Sequence, residues 1–351
     1  MEIGSYFLLE ERTGQSSNTL DYYLNQFAQK KTYFDSGRSA IRYLCNVTRK
    51  KTVLLPNYLC DSIIQPFLEG NFKIIFYEVN NNLEPVIDRI YFDDSIGVFF
   101  HLGYFGRRST ERLQEIIILM RKMGIIVIED ITHSVFSTAK SKLESDYYIC
   151  SIRKWLGIPD GGILLSNSKI EFTNTKVNTE LIANYSEGSS MKKEYLDKRN
   201  YSSSHLNYYK IAEKSLDLSK DMFSISNYSK EVLYHYDFAN MVSIRRKNAT
   251  YLTKEILKLG LKTLDLNNNN LITPLFVPIF FKDKEERDLF KLCLVDSNIY
   301  TPVHWSKPNN MNIDNNIYNI ELSIPCDQRY TIQDMKLITN KIKSIMERIN
   351  D

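Results

Sequence analysis

Lys154 lies within CSIRKWLGIPDGG (150–162), between a strand-like run, Tyr147-Tyr148-Ile149-Cys150-Ser151-Ile152, and a turn, Pro159-Asp160-Gly161-Gly162, that leads into Ile163-Leu164-Leu165. A surface lysine needs no such frame, whereas a lysine that does covalent chemistry needs a rigid mount that partly desolvates its amine. Three further groups fall just after apolar runs, the place where ligands bind in open parallel sheets. Ser36-Gly37-Arg38-Ser39 opens a helix and can offer backbone N–H groups and a positive dipole end to a phosphate. Glu129-Asp130 ends a buried strand with His133 three residues on, and His101 ends another ahead of Gly103-Tyr104-Phe105-Gly106. Each alone has a plain structural reading, as a helix cap, a turn cap, a satisfied core histidine or a loop lysine. Together, in this order, they describe the needs of pyridoxal 5′-phosphate: a cradle for the phosphate, a carboxylate to keep the ring nitrogen protonated, and a strand-mounted lysine to join the aldehyde.

The elements that must position these residues alternate between residues 35 and 165, short apolar runs with amphipathic ones, as in β-α-β units around a mostly parallel sheet. SGRSAIRYLCNV reads as a helix capped by Ser36. It is followed by a strand at 52–56, a helix from Asp61 to about Leu68, strands at 73–79 and 96–102, a helix at 109–124 closed by Gly124, and the strand IIVIED at 125–130. From 170 to 235 the pattern loosens into polar, tyrosine-rich, helix-like segments. SIRRKNATYLTKEILKLG (243–260) is amphipathic, and the remainder suggests a smaller α+β unit ending in a helix. The expected division is an N-terminal segment (1–34), a large α/β domain (35–238) and a small C-terminal α+β domain (239–351).

Composition sets the outer bounds. The chain has 351 residues, enough for a substantial core, with 43% apolar and 25% charged residues. A net charge of +3, without runs of like charge, gives no reason to expect nucleic acid or an anionic membrane as partner. No apolar stretch reaches the roughly 18–20 residues of a membrane span, and the expected location is the cytoplasm. The cysteines, Cys45, Cys60, Cys150, Cys293 and Cys326, are scattered and form no CxxC pair, which argues against a disulfide framework and a metal site. The NNNN tract at 267–270 reads as a loop.

At the residues that bear the chemistry the sequence resembles the DegT/StrS-type sugar-nucleotide aminotransferases, which have the type I fold of pyridoxal-phosphate-dependent transferases. Ser36-Gly37-Arg38-Ser39-Ala40 is similar to the family's Ser-Gly-Thr-x-Ala turn, and LLPNYLCDSI (54–63) stands at its proline-aromatic segment. HLGYFG (101–106) resembles its His-Leu-Tyr-Gly stretch, and IEDITHS (128–134) its Ile-Glu-Asp-x-x-Gln/His. The spacing from Lys154 to Gly161-Gly162 is also the family's, as are the likenesses at RRKNATYL (245–252), YTPVHWSKP (300–308) and ELSIPCDQRYTIQDM (321–335). The chain departs from the pattern where Ile149 replaces a serine five residues before the lysine, where Arg38 replaces threonine, and where Cys60 stands in place of a ring-stacking aromatic near Tyr58. The family's Asn-Tyr-Arg-Met segment has no clear counterpart; FSISNYSKEVL (223–233) lies farther from Lys154.

The resemblance implies an aminotransferase that moves an amino group from an amino acid such as glutamate to a nucleotide-linked keto-sugar, in the making of surface polysaccharides or other deoxyamino sugars. It implies Lys154, Asp130 and His133 as catalytic residues, with Gly37, Arg38, Ser39, Tyr58 and Ser151 also around the cofactor. His101, Tyr104, Arg153, His304 and Trp305 are expected to face substrate, and the site to be built in a homodimer. A sugar dehydratase using the same cofactor is an alternative, disfavoured because such relatives carry histidine at the lysine position. A non-catalytic sugar-nucleotide-binding relative is another. A nicotinamide dehydrogenase fails because no strand leads into Gly-x-Gly-x-x-Gly.

Overall fold

Five short apolar runs pair in parallel and set the frame of the molecule. In the computed structural model, which describes residues 2–11, 19–87, 95–107, 111–138, 145–199, 202–266, 271–308, 311 and 313–350, the strands are β1 (Lys30–Phe34), β2 (Thr52–Pro56), β3 (Lys73–Val79), β4 (Pro85–Val86), β5 (Val98–Leu102), β6 (Ile126–Asp130), β7 (Tyr147–Cys150), β8 (Gly162–Ser166), β9 (Lys262–Thr263), β10 (Phe276–Phe280) and β11 (Glu321–Pro325). The helices are α1 (Thr19–Leu24), α2 (Gly37–Val47), α3 (Asp61–Glu69), α4 (Glu111–Lys122), α5 (Thr179–Leu196), α6 (His205–Leu218), α7 (Asn227–His235), α8 (Phe238–Lys258), α9 (Lys284–Val295), α10 (Ile317–Ile320) and α11 (Ile332–Asn350). The NNNN loop expected at 267–270 lies outside the described residues.

The large sheet has eight strands in the order β1-β8-β7-β6-β5-β2-β3-β4. β3, β2, β5, β6 and β7 run parallel; β8 reverses against β7, β1 against β8, and β4 against β3. Every residue of β2 and β8 is buried, as expected of strands covered on both faces, and this is why they read as unbroken apolar runs. β1 lies in the stretch assigned from sequence to an N-terminal segment, yet it pairs residue for residue with β8, from Lys30 opposite Ser166 to Phe34 opposite Gly162. A second sheet, β11-β10-β9, is antiparallel and packs with α8, α9 and α11 as the smaller C-terminal unit.

Local sequence accounts for the turns that matter to the site. Ser36 caps α2 by accepting the Ser39 backbone N–H, so the helix begins directly after β1. Asp160, fully buried, accepts from the Ser226 and Ser229 hydroxyls and the Ser226 N–H, tying the turn before β8 to the first turn of α7. The loosely patterned stretch after β8 folds as a hairpin of α5 and α6 around Leu181, Tyr185, Tyr209, Ala212 and Leu216.

Candidate active site

Lys154 ends a short 3-10 turn, Ile152–Lys154, that follows β7; its N–H bonds the Ser151 carbonyl. The neighbouring Trp155 is buried, and its indole N–H donates to the Thr132 carbonyl at 2.7 Å, so the turn is anchored to the end of β6. Ser151 N–H donates to Thr132 Oγ1 at 2.9 Å, a second tie between the two strand ends. Lys154 therefore has the rigid mount that the sequence suggested.

A cavity of about 610 Å³ opens at these strand ends, inside the range of about 300–1,000 Å³ usual for small-molecule sites. Lys154, Asp130, Thr132 and Ser151 line it together with Ser36, Gly37 and Arg38 from the start of α2. Asp130 Oδ1 accepts the Thr132 N–H at 2.8 Å; burial raises its carboxyl above the usual range, opposed by the Thr132 hydrogen bonds and the charge of Lys154. These residues fit pyridoxal phosphate: a helix start, a lysine and a half-buried carboxylate share one hollow.

The other residues singled out in the sequence are distributed as follows. Arg153 and Trp305 line the same cavity, as does Cys60. His304 and Trp305, joined by a cis peptide bond, also line a second cavity of about 600 Å³ that Lys154 shares. Its walls include Lys192, Tyr195 and His205 from the α5–α6 hairpin and residues of the N-terminal segment. His133 sits behind Trp305, with ring centroids 5.5 Å apart, and 5.2 Å from His304. Neither of its ring nitrogens has a hydrogen-bond partner, and burial, reinforced by His304 and Lys154, holds its pKa well below the ordinary value. His304 is lowered to about 3 by burial and by Lys154.

Ser39, Tyr58, His101 and Tyr104 lie outside both cavities. The Ser39 hydroxyl donates to Asp35 at 2.6 Å, inside the turn. Tyr58 is fully buried in a ring cluster with Tyr104, Trp305 and Tyr318, and Tyr104 donates to the Tyr58 carbonyl at 2.6 Å. His101 bonds the Ser145 hydroxyl and stacks on Phe99, and with Tyr104 it faces a hollow of only about 30 Å³. His101, the last but one residue of β5, has its ring against Phe99 two residues earlier on the same strand. Residues that sequence reasoning passed over are Thr132, visible in hindsight between Asp130 and His133, and Glu213 and Asp217, which line the first cavity from α6. Two carboxylates four apart on a polar helix carry no signal of their own.

No protein-family model matches the sequence, and no curated protein does. Solved structures match over nearly the whole length. Spr1654 of Streptococcus pneumoniae in its PMP form superposes with a TM-score of 0.70 at 12% identity, over 99% of this chain and 93% of that one. Helicobacter pylori PseC, an aminotransferase involved in the biosynthesis of pseudoaminic acid, gives 0.67 at 13% identity over 98% and 94%. A DegT DnrJ EryC1 StrS aminotransferase from Brucella abortus gives 0.65 at 12% identity over 96% and 91%. The fold is thus the type I fold of pyridoxal-phosphate-dependent transferases, with the smaller antiparallel sheet in the C-terminal unit.

Proposed function

We propose that the chain is a pyridoxal 5′-phosphate-dependent aminotransferase, taking an amino group from an amino acid such as glutamate and delivering it to a nucleotide-linked keto-sugar. The observation that carries this reading is the convergence of Lys154, Asp130 and the Ser36-Gly37 helix start on one cavity of a type I fold. The named aminotransferases among the similar structures support it, one of them involved in the biosynthesis of pseudoaminic acid. A homodimer and a place in polysaccharide biosynthesis belong to the same reading and rest on the resemblance. Among the described residues no helix is long and apolar enough to cross a membrane.

When bound, pyridoxal phosphate supplies an aldehyde and a ring that accepts electrons. Each residue then has a task. The α2 start would bind the phosphate through backbone N–H groups. Asp130 would pair with the ring nitrogen and hold its proton. Lys154 would hold the aldehyde carbon and, once a donor amine has displaced it, carry a proton from one substrate carbon to another position. Trp305 lines both cavities and His304 the second, where an entering acceptor would meet Lys154.

The test is the visible spectrum of the purified protein with added pyridoxal phosphate, wild type beside Lys154→Ala, before and after glutamate. A yellow band that requires Lys154 and bleaches with glutamate is expected. No lysine-dependent band would overturn the catalytic reading.

A further inference from the structure

The cavity that holds Lys154 has a charged wall. Arg38, early in α2, and Arg153, beside the lysine, line it, and so do Glu213 and Asp217, one helical turn apart on α6. Arg38 Nη2 meets Asp217 Oδ1 at 2.5 Å, and Arg153 Nη2 bonds Glu213 Oε1. The members of each pair are not equally enclosed. The arginine side chains are 19% and 11% exposed, against 59% for Asp217 and 40% for Glu213. Arg153 is held further by the Pro159 carbonyl, which accepts from Nε at 3.4 Å. Arg153 is thus fixed in the wall and Arg38 is the more enclosed member of its pair, whereas the carboxylates reach in from a helix and can swing back to water.

The charge balance then decides what an arriving phosphate meets. With all four side chains in place the wall is neutral, and a dianion placed on it would confront two carboxylates at short range. With the carboxylates withdrawn, the same dianion meets two planar forks of N–H donors, the geometry that suits phosphate oxygens. We propose that Glu213 and Asp217 are stand-in anions: the cofactor's phosphate takes Arg38 and Arg153 from them, and α6 loosens its hold on the cavity. The exchange rests on the reading that pyridoxal phosphate occupies this cavity. It supplies phosphate contacts from this chain's own arginines where Ile149 offers no hydroxyl. It also makes cofactor loading a switch on α6, whose first residues, His205 and Leu206, wall the second cavity.

The experiment compares pyridoxal phosphate with pyridoxal, which lacks the phosphate, by titrating both and following the Lys154-dependent band. For Arg38→Gln/Arg153→Gln, the affinity for pyridoxal phosphate is expected to fall at least about tenfold, the loss of charge-assisted hydrogen bonds. Pyridoxal affinity stays unchanged and so reports an intact fold. For Glu213→Gln/Asp217→Asn, which keep the side-chain shapes and remove the charges, the phosphate form binds several-fold tighter and pyridoxal does not. Hydrogen exchange in α6 of the wild type should quicken with pyridoxal phosphate and not with pyridoxal. If the band forms but the preference for the phosphate form is the same in all variants, or if removing the carboxylates weakens it, the exchange is wrong while the cofactor reading stands. If no band forms with either aldehyde in wild type, the cofactor reading falls and the exchange with it.

Discussion

His133 carries two buried ring nitrogens without a partner among aromatic neighbours, and an unpaired buried polar group costs about 1–3 kcal/mol. A phenylalanine of similar shape would leave no orphan behind. His133→Phe should therefore unfold at an equal or higher urea midpoint while binding pyridoxal phosphate more weakly; a lower midpoint would make the imidazole structural. Glu321 is a second residue at odds with its surroundings. It is fully buried, accepts the His304 backbone N–H and the Ser323 hydroxyl, both at 2.6 Å, and burial outweighs these bonds and pushes its carboxyl up to about 8. Its folded value lies above the ordinary 4.5, so the folded state binds the proton more tightly. The stability this lends is whole below the ordinary value and is lost as pH rises through about 8. The stability of wild type relative to Glu321→Gln should fall steadily between pH 5 and about 8, as denaturant midpoints of the two proteins would register. A difference that stays flat over this range would mean that Glu321 is already ionised near its usual pH.

The start of α2 is positioned by its contact with β8 as much as by its own cap. A Cβ on Gly162 would lie 2.1 Å from the Ser36 carbonyl oxygen and 2.9 Å from the Gly37 nitrogen, both backbone atoms of the turn expected to bind phosphate. Gly162→Ala should thus cost at least about 2–3 kcal/mol and weaken cofactor binding, because main chain cannot step aside as a side chain can. Gly124→Ala, where a Cβ meets nothing within 4 Å and only the positive φ of 73° opposes it, should cost about 1–2 kcal/mol and leave cofactor affinity alone. Equal effects of the two in urea unfolding and pyridoxal phosphate titration would show that the turn does not depend on that close approach. At this scale much was legible in the sequence. β2 and β3 match the expected runs residue for residue, β2 because it is buried throughout and β3 because its apolar stretch is bounded by exposed Lys73 and Glu78, and Ser36 caps α2 as its type suggests. β1 was not legible: KKTYF is short and half polar because it runs at the sheet's edge. Nor were the partners of Arg38 and Arg153, since a carboxylate on α6 meets them only through tertiary folding.

Residues 2–11 hold the α5–α6 hairpin to the rest of the molecule. Tyr185 and Tyr209 both donate to the Phe7 carbonyl, Ser189 accepts the Leu9 N–H at 2.8 Å, and Tyr6 stacks on Tyr209 at 4.3 Å. Buried Lys192 on α5 bonds Ser5, the Tyr6 carbonyl and Glu2. On the other side the same segment is fastened to the C-terminal unit, where Ile3 exchanges backbone hydrogen bonds with Asn298 and Tyr300 and Arg329 lies over the Phe7 ring at 3.9 Å. It also meets the lysine loop, since Glu10 N–H bonds the Gly157 carbonyl and a Cβ on Gly157 would lie 1.6 Å from the Leu8 oxygen. The hairpin's own core is small, five buried residues with Leu9 of the strap packed against it. Small clusters of this kind open at free energies far below that of the whole protein. Deleting residues 1–11 should therefore raise hydrogen exchange throughout α5 and α6, and in the loop at 155–158, while β2, β5 and β6 stay protected by their own burial. Because α6 carries Glu213 and Asp217, the truncated chain should also prefer pyridoxal phosphate over pyridoxal more strongly than the full chain does. Unchanged exchange in α5 and α6 would mean that the hairpin stands on its own core, and that the strap does no more than wall the second cavity.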